Sequence, residues 1–121
     1  MTKEEDLESL RDQIVDLYNE IKSVTRTVQT CAAKFGSVGW DEETADAKAE
    51  RALVEVEADD ARILNDHKTA LREILKSAAY VLSQYQATTD KMPGRGGMNG
   101  IFIRSGINRA HITLERTQTK S

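Results

Sequence analysis

The chain has 121 residues, of which 31% are charged and only 5% aromatic, with a formal net charge of −3. That is the profile of long, solvated helices, and it argues against a β-sandwich or an α/β enzyme. The length suits one domain at most.

The charge is unevenly spread. From Lys91 onward there are six basic side chains against one acidic, which leaves −8 on residues 1–90. An acidic body with a basic tail points to modular organisation. The tail lacks dense Lys/Arg clustering and has a single aromatic, Phe102, so it argues against nucleic-acid binding. Cys31 is alone, so no intrachain disulfide framework exists. The start, MTKEEDLESL, is acidic and has no apolar core of a signal peptide. No apolar stretch approaches the ~18–20 residues of a membrane span.

Residues 2–35 carry the clearest pattern. Thr2 and Glu5 fit a capping box at the helix start. Leu7, Leu10, Ile14, Leu17, Ile21, Val24, Val28, Cys31 and Phe35 then follow in unbroken alternation of three and four. This heptad seam predicts a helix about 50 Å long that packs at a shallow angle. Val15 and Tyr18 widen the stripe towards that of a bundle helix.

Residues 36–40 break the pattern. Gly36 suits the left-handed residue that closes a helix, and Asp41 suits the N-cap of the next. Glu42 and Glu43 then favour the first turn through the helix dipole. So short a connection predicts two antiparallel neighbours.

Residues 41–90 contain no glycine and no proline. The first half is rich in alanine and acid. The second carries Leu64, Leu71, Leu75, Leu82 and Tyr85, with Lys68 intruding on the stripe. A continuous helix here would span about 75 Å. It must overhang its partner, break near Glu57–Asp60, or fray after Tyr85. The acids of residues 41–60 form a solvated face or a dock for a basic partner, the chain's own tail included.

Met92-Pro93-Gly94 stops the second helix, and Gly94, Gly96, Gly97 and Gly100 follow. IFIRSGINRAHITLER alternates loosely, as a strand or short hairpin would, with a weak turn signal at Ser105-Gly106. The expectation is a flexible or weakly structured tail.

The elements together predict an all-α fold. Residues 1–91 form an antiparallel helix-turn-helix hairpin (helix 2–35, turn 36–40, helix 41–90) that dimerises into a four-helix bundle. Residues 92–121 form the basic tail. The dimer and hairpin seam comprises Leu7, Leu10, Ile14, Leu17, Ile21, Val24, Val28, Phe35, Leu64, Leu71, Leu75 and Leu82.

Catalytic and metal patterns are missing from the sequence. A di-iron bundle needs Glu-x-x-His, yet Leu64 stands three residues before His67. Cys31, His67 and His111 have no ligand spacing. There is no nucleophile elbow and no phosphate-binding loop. A non-enzymatic interaction protein without a cofactor is expected.

The hairpin, its turn tryptophan and the leaderless start resemble the small WXG-type (ESAT-like) substrates of type VII secretion, over about residues 5–92. That family carries Trp-x-Gly at the turn and Tyr-x-x-x-Asp/Glu at the end of its second helix. Here the turn reads Gly39-Trp40-Asp41-Glu42, so the glycine precedes the tryptophan. The far end reads SAAYVLSQYQATTDKM, where Tyr85 and Asp90 lie five apart rather than four. The resemblance implies synthesis in the cytoplasm, a leaderless export route, and Tyr85 and Asp90 as export motif. Its implied partners are the chain itself or a related hairpin, the secretion machinery, or a larger secreted effector. The competing expectation is a structural or adaptor coiled coil, as in phage or other assemblies, whose basic tail engages a partner.

Overall fold

The computed structural model describes residues 3–93 and 98–118, and the regular structure among them is helical throughout. α1 spans Lys3–Phe35, α2 Glu42–Val54, α3 Ala61–Asp90 and α4 Met98–Arg116. Thr2 of the expected capping box and Gly94, Gly96 and Gly97 of the expected linker lie outside the described residues.

α1 buries its heptad seam. Ile14, Leu17, Ile21, Val24 and Val28 are almost fully enclosed, Leu7 and Cys31 are buried, and Leu10 and Phe35 pack at the edge of the core. The helix closes at Gly36, whose N–H donates to the Ala32 carbonyl at 3.0 Å. Gly36 and Gly39 have φ of 92° and 81°, values that glycine adopts without strain.

α2 returns antiparallel along α1. Tyr18 donates its hydroxyl to Glu50 at 2.7 Å, and Lys22 pairs with Glu50 at 2.9 Å and approaches Asp46 at 3.8 Å. The inward residues of α2 are Ala45, Ala49 and Ala52, small enough for close approach to α1.

Of the three courses open to the expected helix 41–90, the structure takes the break near Glu57–Asp60. The chain leaves the helix after Val54 and resumes it at Ala61, so two helices stand where the expected hairpin had one second arm. Arg11 of α1 explains the break. Its guanidinium donates to the carbonyls of Val56 at 3.1 Å and Ala58 at 3.2 Å, and more weakly to that of Glu57 at 3.4 Å. It also pairs with Asp59 at 3.0 Å. Those carbonyls belong to the connecting turn, outside the ladders of α2 and α3, and need a donor from elsewhere. Asp60 then caps α3 by accepting the Arg62 N–H at 2.9 Å.

The chain therefore turns again, and α3 runs parallel to α1. At the far end the Tyr85 hydroxyl donates to the Gly36 carbonyl at 2.8 Å. Leu64, Leu71, Leu75 and Leu82 are buried within the same chain rather than across a dimer. Lys68 is buried on this stripe, and desolvation together with nearby Arg72 lowers its pKa.

The tail is neither strand nor hairpin: it forms α4. This corrects the expectation of a weakly structured segment. α4 runs antiparallel to α3 and packs on both α1 and α3. Its buried positions are Gly100, Ile103, Gly106, Ala110, Thr113 and Thr117, spaced as one helical face but mostly small. Their small size hides the helical period from a hydrophobicity reading. A Cβ on Gly106 would come 3.2 Å from Leu82 Cδ1, so a small residue sets the distance between α3 and α4. The arginines of α4 reach the body: Arg104 to Asp90 at 2.8 Å, Arg109 to the Ser23 hydroxyl at 2.6 Å and Glu20 at 3.6 Å, and Arg116 to Asp16 at 4.0 Å. The basic tail does fold back, but onto these acids and not onto the acidic face of residues 41–60.

Arg11→Ala should destabilise the fold by about 2–3 kcal/mol, the cost of freeing carbonyls from a charged donor. Denaturant titration measures it, and amide exchange should rise first around residues 55–60.

Candidate functional site

The turn and the end of α3 meet at one pole of the molecule. Asp41 accepts the Thr44 N–H at 3.0 Å and also bonds the Thr44 hydroxyl, which fixes the start of α2. Ser37 Oγ accepts the Gly39 N–H at 3.1 Å. Trp40 is half-buried and packs on the core, while Gly39 is exposed.

Tyr85 is only 2% exposed. Its phenol is spent on the Gly36 carbonyl, and burial is the main reason its pKa rises. Asp90 is exposed and accepts Arg104 of α4. The structure thus brings Tyr85 to the turn, while Asp90 turns to α4. The two do not form a joint ligand-binding pair.

A groove runs between α2 and α3. A hollow of about 380 Å³ lies beside Trp40, with Ala45, Lys48, Ala70 and Ile74 among its walls. A second of about 200 Å³ continues past Lys48 and Ala70 towards Ala52 and His67. The groove follows from the alanine face of α2, which reaches α1 but leaves α3 partly uncovered. His67 Nε2 meets Glu55 Oε2 at 2.8 Å.

Cys31 is buried, and desolvation raises its thiol pKa, which disfavours the nucleophilic thiolate. Among the described residues no group of three or more His, Cys, Asp or Glu side chains is placed to hold a metal ion. Among the same residues no helix is long and apolar enough to cross a membrane.

A surface that the sequence reading missed lies on α4. Ile101, Phe102 and Ile112 are 58%, 59% and 53% exposed, and Tyr80 of α3 is 65% exposed nearby. Between α3 and α4 a shallow hollow of about 300 Å³ is lined by Ala79, Tyr80, Ile107 and Leu114, with His111 at its edge. The available signal was the largely inverted pattern of α4, with glycine, alanine and threonine joining Ile103 inward and Ile101, Phe102 and Ile112 outward.

Fold and surface together define a class: an all-helical chain whose four described helices alternate in direction and whose α4 carries exposed apolar side chains. No protein-family model, curated protein or solved structure matches the chain.

Three carboxylates around α2 have lowered pKa values. Asp41 is held by the Thr44 hydroxyl and N–H, Glu50 by Lys22 and then Tyr18, and Glu55 by His67 and then Arg51. A carboxylate that ionises more easily when folded stabilises fully above its unfolded value, about 4, and loses that contribution as pH falls through its lower folded value. α2 should therefore loosen in acid. Trp40 emission should shift to the red between about pH 4 and pH 2, before the far-ultraviolet helical signal collapses.

Proposed function

We propose that this chain is a non-enzymatic protein-interaction module, an adaptor that binds through the outer side of α4 and the adjoining edge of α3. The observation that carries this reading is the exposure of Ile101, Phe102 and Ile112 on α4, with Tyr80 exposed on the adjoining α3, amid a heavily charged sequence. Apolar side chains clustered on an otherwise polar surface mark interaction sites. The arginines of α4 are engaged within the chain, so the tail offers a partner its apolar side rather than its charge.

Photo-crosslinking in the native cell tests it. A benzophenone side chain at Tyr80 or Ile112 should yield discrete protein adducts, and one at Glu43 should not. Equal adducts at all three positions, or none at any, would overturn the reading.

A second reading is export through a type VII-like system. It is supported by the contact between Tyr85 and the turn beside Trp40, the two regions that carry the family resemblance. It is weakened by the burial of Tyr85, which an export receptor could reach only after local opening. This reading expects the chain in culture medium, and expects Asp90→Ala to reduce that amount. An intracellular chain, or export indifferent to Asp90→Ala, would count against it.

A further inference from the structure

We infer that α4 pairs with α4 of a second copy, antiparallel about a two-fold axis midway between Ser105 and Asn108. This rests on the interaction-module reading and names its partner. Ile101, Ser105, Asn108 and Ile112 are spaced four, three and four, which places them on one stripe of the helix. All four are exposed, on the side away from α1 and α3.

The stripe reads the same in both directions: apolar, polar, polar, apolar. A two-fold interface requires such self-complementarity, since each patch meets its own copy. An antiparallel pairing sets Ile101 against Ile112 of the partner subunit. It also sets Ser105, a hydroxyl donor, against the amide oxygen of the partner's Asn108.

Charge favours the same occupant. The stripe itself carries no ionisable side chain, so no charge is buried when two copies meet along it. Arg104 and Arg109 would flank the pair, and they are already balanced by Asp90 and Glu20. This also relocates the dimer expected from the α1 seam, whose side chains are consumed inside the chain.

A 19-residue helix gives a small interface, so dissociation in the micromolar range is expected. Sedimentation equilibrium of the full chain should show a monomer–dimer equilibrium. Ile112→Glu should raise the dissociation constant roughly 100-fold or more, because each interface then buries two unpaired charges. Circular dichroism checks that helicity is kept, and Ile101→Ser serves if it is not. Chains carrying Ile101→Cys and Ile112→Cys should form a mixed disulfide when combined, and far less of one when each is alone, since equivalent positions then lie about 16 Å apart along the helices.

A monomer at all concentrations, or a dimer indifferent to both isoleucine substitutions, would overturn the proposal. Equal disulfide formation by either cysteine alone would overturn the antiparallel register. If the chain is monomeric but crosslinks at Ile112 still capture another protein, the second copy is wrong and the interaction-module reading stands. If those crosslinks fail as well, both fall.

Discussion

The turn between α2 and α3 presents carbonyl oxygens that belong to neither helix, and the guanidinium of Arg11 collects those of Val56 and Ala58. One side chain spans Val56, Ala58 and Asp59 in a single planar fork. A lysine could not reproduce that arrangement, because its ammonium is a point donor rather than a fork. The turn that Arg11 stabilises reverses the chain a second time. α3 then lies parallel to α1, and its leucines meet the seam of α1 within one molecule. If the chain did not reverse there, the leucines of residues 64–82 would be carried past the end of α1 and need another chain to cover them.

The remaining features follow from that reversal. Tyr85 arrives at the turn of residues 36–40 because α3 travels in the same direction as α1. α4 can then come back down the opposite side, where Asp16, Glu20 and Asp90 receive its arginines. These pairs are partly exposed and individually weak. Their effect is orientation: they lie on the flanks of α4, so its outer stripe is left without charge. The small inward residues complete the effect by leaving isoleucine and phenylalanine outside.

Much of α1 was legible in the sequence, since a large apolar residue occupies nearly every seam position and only its core face is apolar. The turn was legible for the same kind of reason, from Gly36 and Asp41 with their conformational preferences. The break was not. Residues 53–60 contain neither glycine nor proline, and their stabilising partner lies more than forty positions away in α1. α4 misled because hydrophobicity reports large side chains, and here Ile101, Phe102 and Ile112 face outward while, of the large ones, Ile103 alone is fully buried. Of the candidate site, Trp40 and Tyr85 were singled out by resemblance to a motif. Their position at one pole depends on a parallel α3, which no local pattern encodes. Tyr85 is tied to Gly36 by a bond that motif spacing does not describe.

The parallel course of α3 is the claim on which the fold, the burial of the seam and the exposure of α4 all depend. It is tested most directly by a distance between spin labels at Ser37 and Gln84, both exposed, measured by pulsed electron resonance. The account predicts a separation within about 20 Å, two helix diameters, since Tyr85 is bonded to Gly36. A continuous second helix would hold the labels roughly 60 Å apart, and that result would contradict it.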